Sequence, residues 1–110
     1  MSGLWIPGAA GPLEEWVKRV HRRIETFAGD AGVERAFVEV ELVDGVRYAL
    51  EAISAEPGFG FVTLRPQPDP DDDDLPGEVV VPVGSIKRLE LRRAEEQRGR
   101  FGFALPDAPP

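Results

Sequence analysis

The sequence predicts a mostly β domain with one N-terminal α-helix, folded as a small, strongly bent, five-stranded antiparallel barrel. Three observations carry that reading. An apolar stripe of helical period runs over residues 12–28. From Arg35 the period changes to two, in short strands broken by turn residues. The last two strands meet at a corner only three residues long, in "EVVVPVGSIKRLEL". At 110 residues and 42% hydrophobic content the chain is sized for one domain with a modest core.

Residues 1–11 are rich in Gly and Pro around Trp5 and Ile6, and are expected to form a flexible arm, or a strap packed by those two apolar side chains. In the helix, Leu13, Trp16, Val17, Val20, Ile24 and Phe27 make the apolar stripe. Pro12 suits a first helical position, where its missing N–H costs nothing. Glu14 and Glu15 sit at the positive end of the helix dipole. Glu14–Lys18 and Glu15–Arg19 are favourable i,i+4 pairs. Gly29 is the expected cap.

In "AFVEVELVDG", Val38, Val40 and Leu42 alternate with Glu39 and Glu41, as in a half-exposed strand. Asp44-Gly45 signals a hairpin. "VRYALEAIS" returns with Val46, Tyr48, Leu50 and Ala52 on one face and Arg47 and Glu51 on the other. "AEPG" is read as the next turn and "FGFVTLRP" as the third strand, with Gly58 and Gly60 leaving room for a bend. Residues 66–77 read as a mobile acidic loop of prolines and aspartates. The fourth strand, "EVVVPV", is continuous in apolar character, which predicts cover on both faces. Pro82 limits its pairing. The fifth strand carries Ile86, Leu89 and Leu91. Residues 94–110 are read as a polar and then Pro-rich tail, helical to about Arg98 and otherwise disordered unless Phe101 and Phe103 find a surface.

Helix, three-strand meander, loop and final cornered pair, with the "LVDG" turn and "VVVPVGSIKRL", resemble the Sm-like family, including its bacterial Hfq branch. The resemblance runs from Leu13 to Arg93. It implies a five-stranded barrel capped by the helix. It also implies rings in which the fourth strand of one subunit pairs with the fifth of the next. RNA binding in that family uses Arg-Gly or Lys-His at the corner, where this chain has Pro82-Val83-Gly84. The family's Asn is not evident in "EAISAEPGFGF" either. The corner therefore reads as a structural joint.

Composition narrows the function further. A net charge of −7 disfavours nucleic acid and anionic membranes as partners. With no cysteine, disulfides, thiolate metal sites and thiol nucleophiles are excluded. No run is apolar for long enough to span a membrane. The first residues lack a secretory signal pattern, so a cytoplasmic location is expected. The excess of Arg over Lys, with abundant Ala, Gly, Pro and Val, suggests a GC-rich bacterial source.

His21 lies one turn before Glu25, a spacing that suits a general base. No Ser, Cys or second His completes a nucleophilic site, so it is read as a surface histidine and the chain as a non-enzyme. The aspartates at 69–74 lack the spacing of a calcium loop, and no metal or cofactor is expected. Lys18, Arg19, Arg22 and Arg23 are nearly balanced by Glu14, Glu15 and Glu25, which makes the helix surface a solvated face. "FGF" occurs at 59–61 and again at 101–103. The first is read as core packing and the second as a tail contact, within a docking peptide formed by Arg98, Arg100, Phe101 and Phe103.

Two function classes follow. The favoured one is a small barrel that self-associates and binds protein partners, its subunit interface formed by Val79, Val80, Val81, Leu89 and Leu91. The alternative is an Sm-like RNA-binding protein without the usual basic contact residues.

Overall fold

The computed structural model describes residues 12–94 and 102–105. The expected arm at 1–11 and the docking residues Arg98, Arg100 and Phe101 lie outside the described residues.

One helix, α1 (Pro12–Ala31), precedes the strands β1 (Ala36–Leu42), β2 (Arg47–Gly58), β3 (Phe61–Pro66), β4 (Val79–Pro82) and β5 (Ile86–Arg93). The strands form one antiparallel sheet in the order β4-β3-β2-β1-β5. The sheet is open, with β4 and β5 at its two ends. The helix lies on one face. Val17, Ile24 and Ala28 are buried there against Val38, Val40, Leu42, Leu50, Ile53, Val62 and Leu64, while Trp16, Val20 and Phe27 pack at the margin.

Gly29 lies inside the helix, which runs on to Ala31. The terminator is Gly32, at φ 71°. Gly32 N–H donates to the Gly29 carbonyl and Val33 N–H to that of Ala28, at 3.2 and 3.0 Å. This pair of bonds closes the last turn and needs the left-handed conformation that glycine adopts without strain.

The long strand β2 departs from simple alternation. Leu50 and Ile53 are both buried, and Ala52, assigned to the inner face from periodicity, is half-buried. A register shift between Leu50 and Ala52 inserts one residue, Glu51, and moves every later side chain to the opposite face. A second irregularity, between Ser54 and Gly58, takes up "AEP". The chain therefore reverses at Phe59-Gly60, two residues beyond the "AEPG" turn expected from sequence. In β5, Leu91, Leu89 and Ile86 lie opposite Val38, Val40 and Leu42. A bulge between Glu41 and Leu42 explains the three-residue step from Leu89 to Ile86.

β1 pairs with β2 only from Glu39 to Glu41. Beyond that the two strands separate, and residues 102–105 bridge them. Phe103 N–H donates to the Ala36 carbonyl at 2.7 Å, and Ala104 N–H to that of the bulged Glu51 at 2.8 Å. The Phe103 side chain is 2% exposed, within the core. Gly102 passes so close to β1 that a Cβ there would overlap Arg35 Cβ and lie 3.1 Å from the Ala36 oxygen. Phe103 was expected as a docking residue on a loose tail, and it is an internal plug.

The acidic segment is anchored at both ends. Gln67 is buried, its backbone N–H bonded to Ala49 and its amide to Leu50. Leu75 is half-buried. Between them Asp69 and Asp72 each accept a backbone N–H two residues on, at 3.0 and 3.1 Å, and make successive turns.

Candidate interaction surface

Because β4 is hydrogen-bonded only to β3 and β5 only to β1, each has one side of its backbone unpaired among the described residues. Pleating sets what each edge presents. Val81 lies opposite the buried Val62, and Val79 opposite the buried Leu64, so both turn toward the helix side. They are only half-buried there. Val80, opposite Thr63, points to the other face and is 51% exposed. The expectation that the three valines are covered on both faces is not met within one chain.

Val80 has apolar company. Phe61, opposite Pro82, is exposed on the same outer face. Beside them is the tip of the β2–β3 hairpin. Phe59 has φ 55° and Gly60 φ 86°, the two positive values that a two-residue type I′ turn requires. Asn or Asp is the usual residue at the first position. For a bulky side chain the left-handed conformation costs about 1 kcal/mol or more. Phe59 is also fully exposed, so no contact among the described residues offsets that cost. The first "FGF" thus stands in solvent and the second contributes the core residue, the reverse of the expectation. The signal was present in "PGFG": an aromatic between two glycines at a hairpin tip has no strand face to bury it.

The corner between the edges is a three-residue 3₁₀ turn, Val83–Ser85. Val83 N–H donates to the Gly60 carbonyl, and the Ser85 carbonyl accepts from Val43 N–H, at 2.8 and 2.9 Å. The corner joins two hairpin tips, as a structural joint does.

At the opposite end of the sheet, β5 turns the half-buried Leu89 and Leu91 to the helix side. Its outer face holds an ion-pair network. Glu41 meets Arg88 at 3.1 Å, Arg47 at 3.3 Å and Lys87 at 3.8 Å. Arg92 bonds Glu39 and Glu90. Partial burial pushes the Glu41 carboxyl up, but the Arg47 hydrogen bond and the charges of Lys87, Arg47 and Arg88 outweigh it and hold the group below its ordinary value. The Arg47 guanidinium is raised, chiefly by its bond to Glu41. A cleft of about 250 Å³ separates this network from the acidic segment, with Phe37 and Tyr48 lining it below Arg47, Arg92, Asp69 and Asp72.

His21, read from sequence as a surface residue, is half-buried. Its Nε2 donates to the Ile53 carbonyl at 3.2 Å, and its ring lies 5.8 Å from that of Phe103. Burial lowers its pKa, and the bond to Ile53 opposes that only in part. Among the described residues, no three His, Asp or Glu side chains converge to hold a metal ion. No helix among them is long and apolar enough to cross a membrane.

Compared with protein-family models, with characterised proteins and with solved structures, the chain matches none.

Proposed function

We propose that this chain is a non-enzymatic, Sm-like small-barrel unit that self-associates, β4 of one copy adding to β5 of the next. The observation that carries the reading is that, among the described residues, the two ends of one open sheet each leave a strand edge without a pairing strand. Each edge has half-buried apolar side chains on its helix side, Val79 and Val81 on one and Leu89 and Leu91 on the other. Joining the edges extends the backbone ladder and covers both sets at once. The assembled surface then serves protein partners. The largest group of ionisable side chains fits this reading, because it is a mutually neutralising network on a sheet face.

RNA binding is the weaker reading. Arg88 and Arg92 on β5 are engaged by Glu41, Glu39 and Glu90, which compete with phosphate for them.

Sedimentation velocity tests the proposal. The parent chain should sediment as a homo-oligomer, and Val80→Asp or Leu91→Lys should reduce it to a folded monomer. A parent that is monomeric at micromolar concentration refutes it. Salt-sensitive binding of short U-rich or A-rich RNA by the parent would favour the second reading.

A further inference from the structure

We propose that the gap between β1 and β2 is a peptide-recognition site, that residues 102–105 are its ligand held in cis, and that the same segment of a second copy of this chain binds there when the chain's own tail is released. The inference goes beyond the edge-to-edge reading and does not depend on it.

The walls are set by other strands. Ala36 is held in the ladder opposite Arg93 of β5. Glu51 is the residue that the β2–β3 register leaves out, between Leu50 opposite Pro66 and Ala52 opposite Arg65. β1 and β2 pair with each other only from Glu39 to Glu41, so near Ala36 and Glu51 neither strand supplies donors to the other. The inserted segment supplies them, Phe103 N–H to the Ala36 carbonyl and Ala104 N–H to that of Glu51. Successive residues thus bond opposite walls, the pattern of an extended peptide added to a sheet.

The site also reads side chains. The first position must be glycine, because a Cβ on Gly102 would overlap Arg35 Cβ and lie 3.1 Å from the Ala36 oxygen. The second is aromatic. Phe103 is buried in the core, and its ring lies beside that of His21, which is bonded to the Ile53 carbonyl. The third position is open, since Ala104 is exposed. The fourth is aliphatic, because Leu105 packs half-buried against the core. The ligand class is therefore an extended Gly-aromatic-any-aliphatic segment. The chain has Gly-Phe at 58–59, 60–61 and 102–103, and only the last has an aliphatic residue at the fourth position; the others have Phe61 and Thr63. Residues 102–105 are thus the segment that a second copy has to offer.

Residues 95–101 tether that segment to its own site, at an effective concentration of about 1 mM. A ring buried as deeply as that of Phe103 favours the docked state by a factor of about 10² to 10³. Without the tether the segment should bind with a dissociation constant of about 1–10 µM. In the parent, occupation by the cis tail should weaken that by the same factor.

Gly102→Ala empties the site and leaves its walls unchanged in sequence. A fluorescent peptide of residues 99–107 should bind the full-length Gly102→Ala chain in anisotropy titrations with that micromolar constant, and the parent at least about 100-fold more weakly. The peptide carrying Phe103→Ala should lose at least about tenfold. A folded Gly102→Ala chain that ignores the peptide at about 1 mM, the effective concentration of the tethered tail, overturns the site, as does equal binding by variant and parent. If the variant does not fold alone, refolding with the peptide should restore its circular dichroism and melting transition, and failure to do so also overturns the site. A parent extended after Pro110 by a repeat of residues 99–107 carries one segment more than its own site holds. Labelled Gly102→Ala should bind this extended chain and be displaced by the free peptide. Equal binding to the extended and the unextended parent overturns exchange between copies.

Discussion

Gly102→Ala adds one methyl group to a segment far from β1 in sequence, and the structure makes its consequence large. The new Cβ would overlap Arg35 Cβ and crowd the Ala36 carbonyl. Ala36 is the first residue of β1, held in the ladder opposite Arg93 of β5, and Arg35 immediately precedes it, so neither withdraws easily. The segment must leave instead. Phe103 is its main anchor, and truncating so deeply buried a phenylalanine costs about 3–5 kcal/mol. Its two backbone hydrogen bonds contribute about 1 kcal/mol each. Holding four residues in place costs about 1–2 kcal/mol per residue in backbone entropy, so those bonds cannot keep the segment docked alone. Phe103→Ala should therefore release the same segment, and the two substitutions share one mechanism. In urea denaturation each is expected to destabilise by about 3–5 kcal/mol. The double variant should cost hardly more than either single one, giving a coupling energy of about 3 kcal/mol where independent sites give nearly none. A Gly102→Ala protein within about 0.5 kcal/mol of the parent, the range of ordinary surface changes, or simple additivity of the two, would refute the plug.

Three further outcomes are expected. Ile24→Ala, at the most buried position of α1, should cost about 2–5 kcal/mol and more than Phe27→Ala, whose ring sits at the core margin; equal melting curves would show that the helix is not docked in this register. Because the folded-state pKa of His21 is depressed, its contribution to stability is complete above the ordinary value of 6.5 and is lost as pH falls from there to the folded-state value. His21→Gln should remove that pH dependence, and an NMR titration midpoint at or above 6.5 would contradict it. Replacing residues 68–74 with a Gly/Ser segment while keeping Gln67 and Leu75 should leave the monomer's melting temperature nearly unchanged, since Asp71 to Asp74 are exposed, the half-buried Asp69 is outside the core, and loop-closure entropy varies slowly with length. A drop as large as that of a core variant would show that the aspartate turns hold the fold.

The sequence by itself determined the element types and their order, because these depend on local periodicity. The stripe from Leu13 to Phe27 specifies a helix, and the alternation from Val38 to Leu42 specifies a strand with one buried face. Ile86, Leu89 and Leu91 are legible as the apolar set of the last strand, whereas their facing inward follows only from their pairing opposite Leu42, Val40 and Val38. The tertiary structure decided whatever depends on register or on residues distant in the chain. The extra residue at Glu51 shifts β2 by one, so that Ile53 goes inward, a second irregularity at residues 55–57 carries the reversal on to Phe59-Gly60, and hydropathy alone marks neither. The two "FGF" motifs have the same composition and opposite fates. The first lies at the tip of a hairpin, with no layer above it. The second meets a gap between two separating strands, where one aromatic ring completes the core and its preceding glycine is the only residue that fits. That gap exists only once β1 and β2 have paired and parted, so no window of sequence around Phe103 could have revealed it.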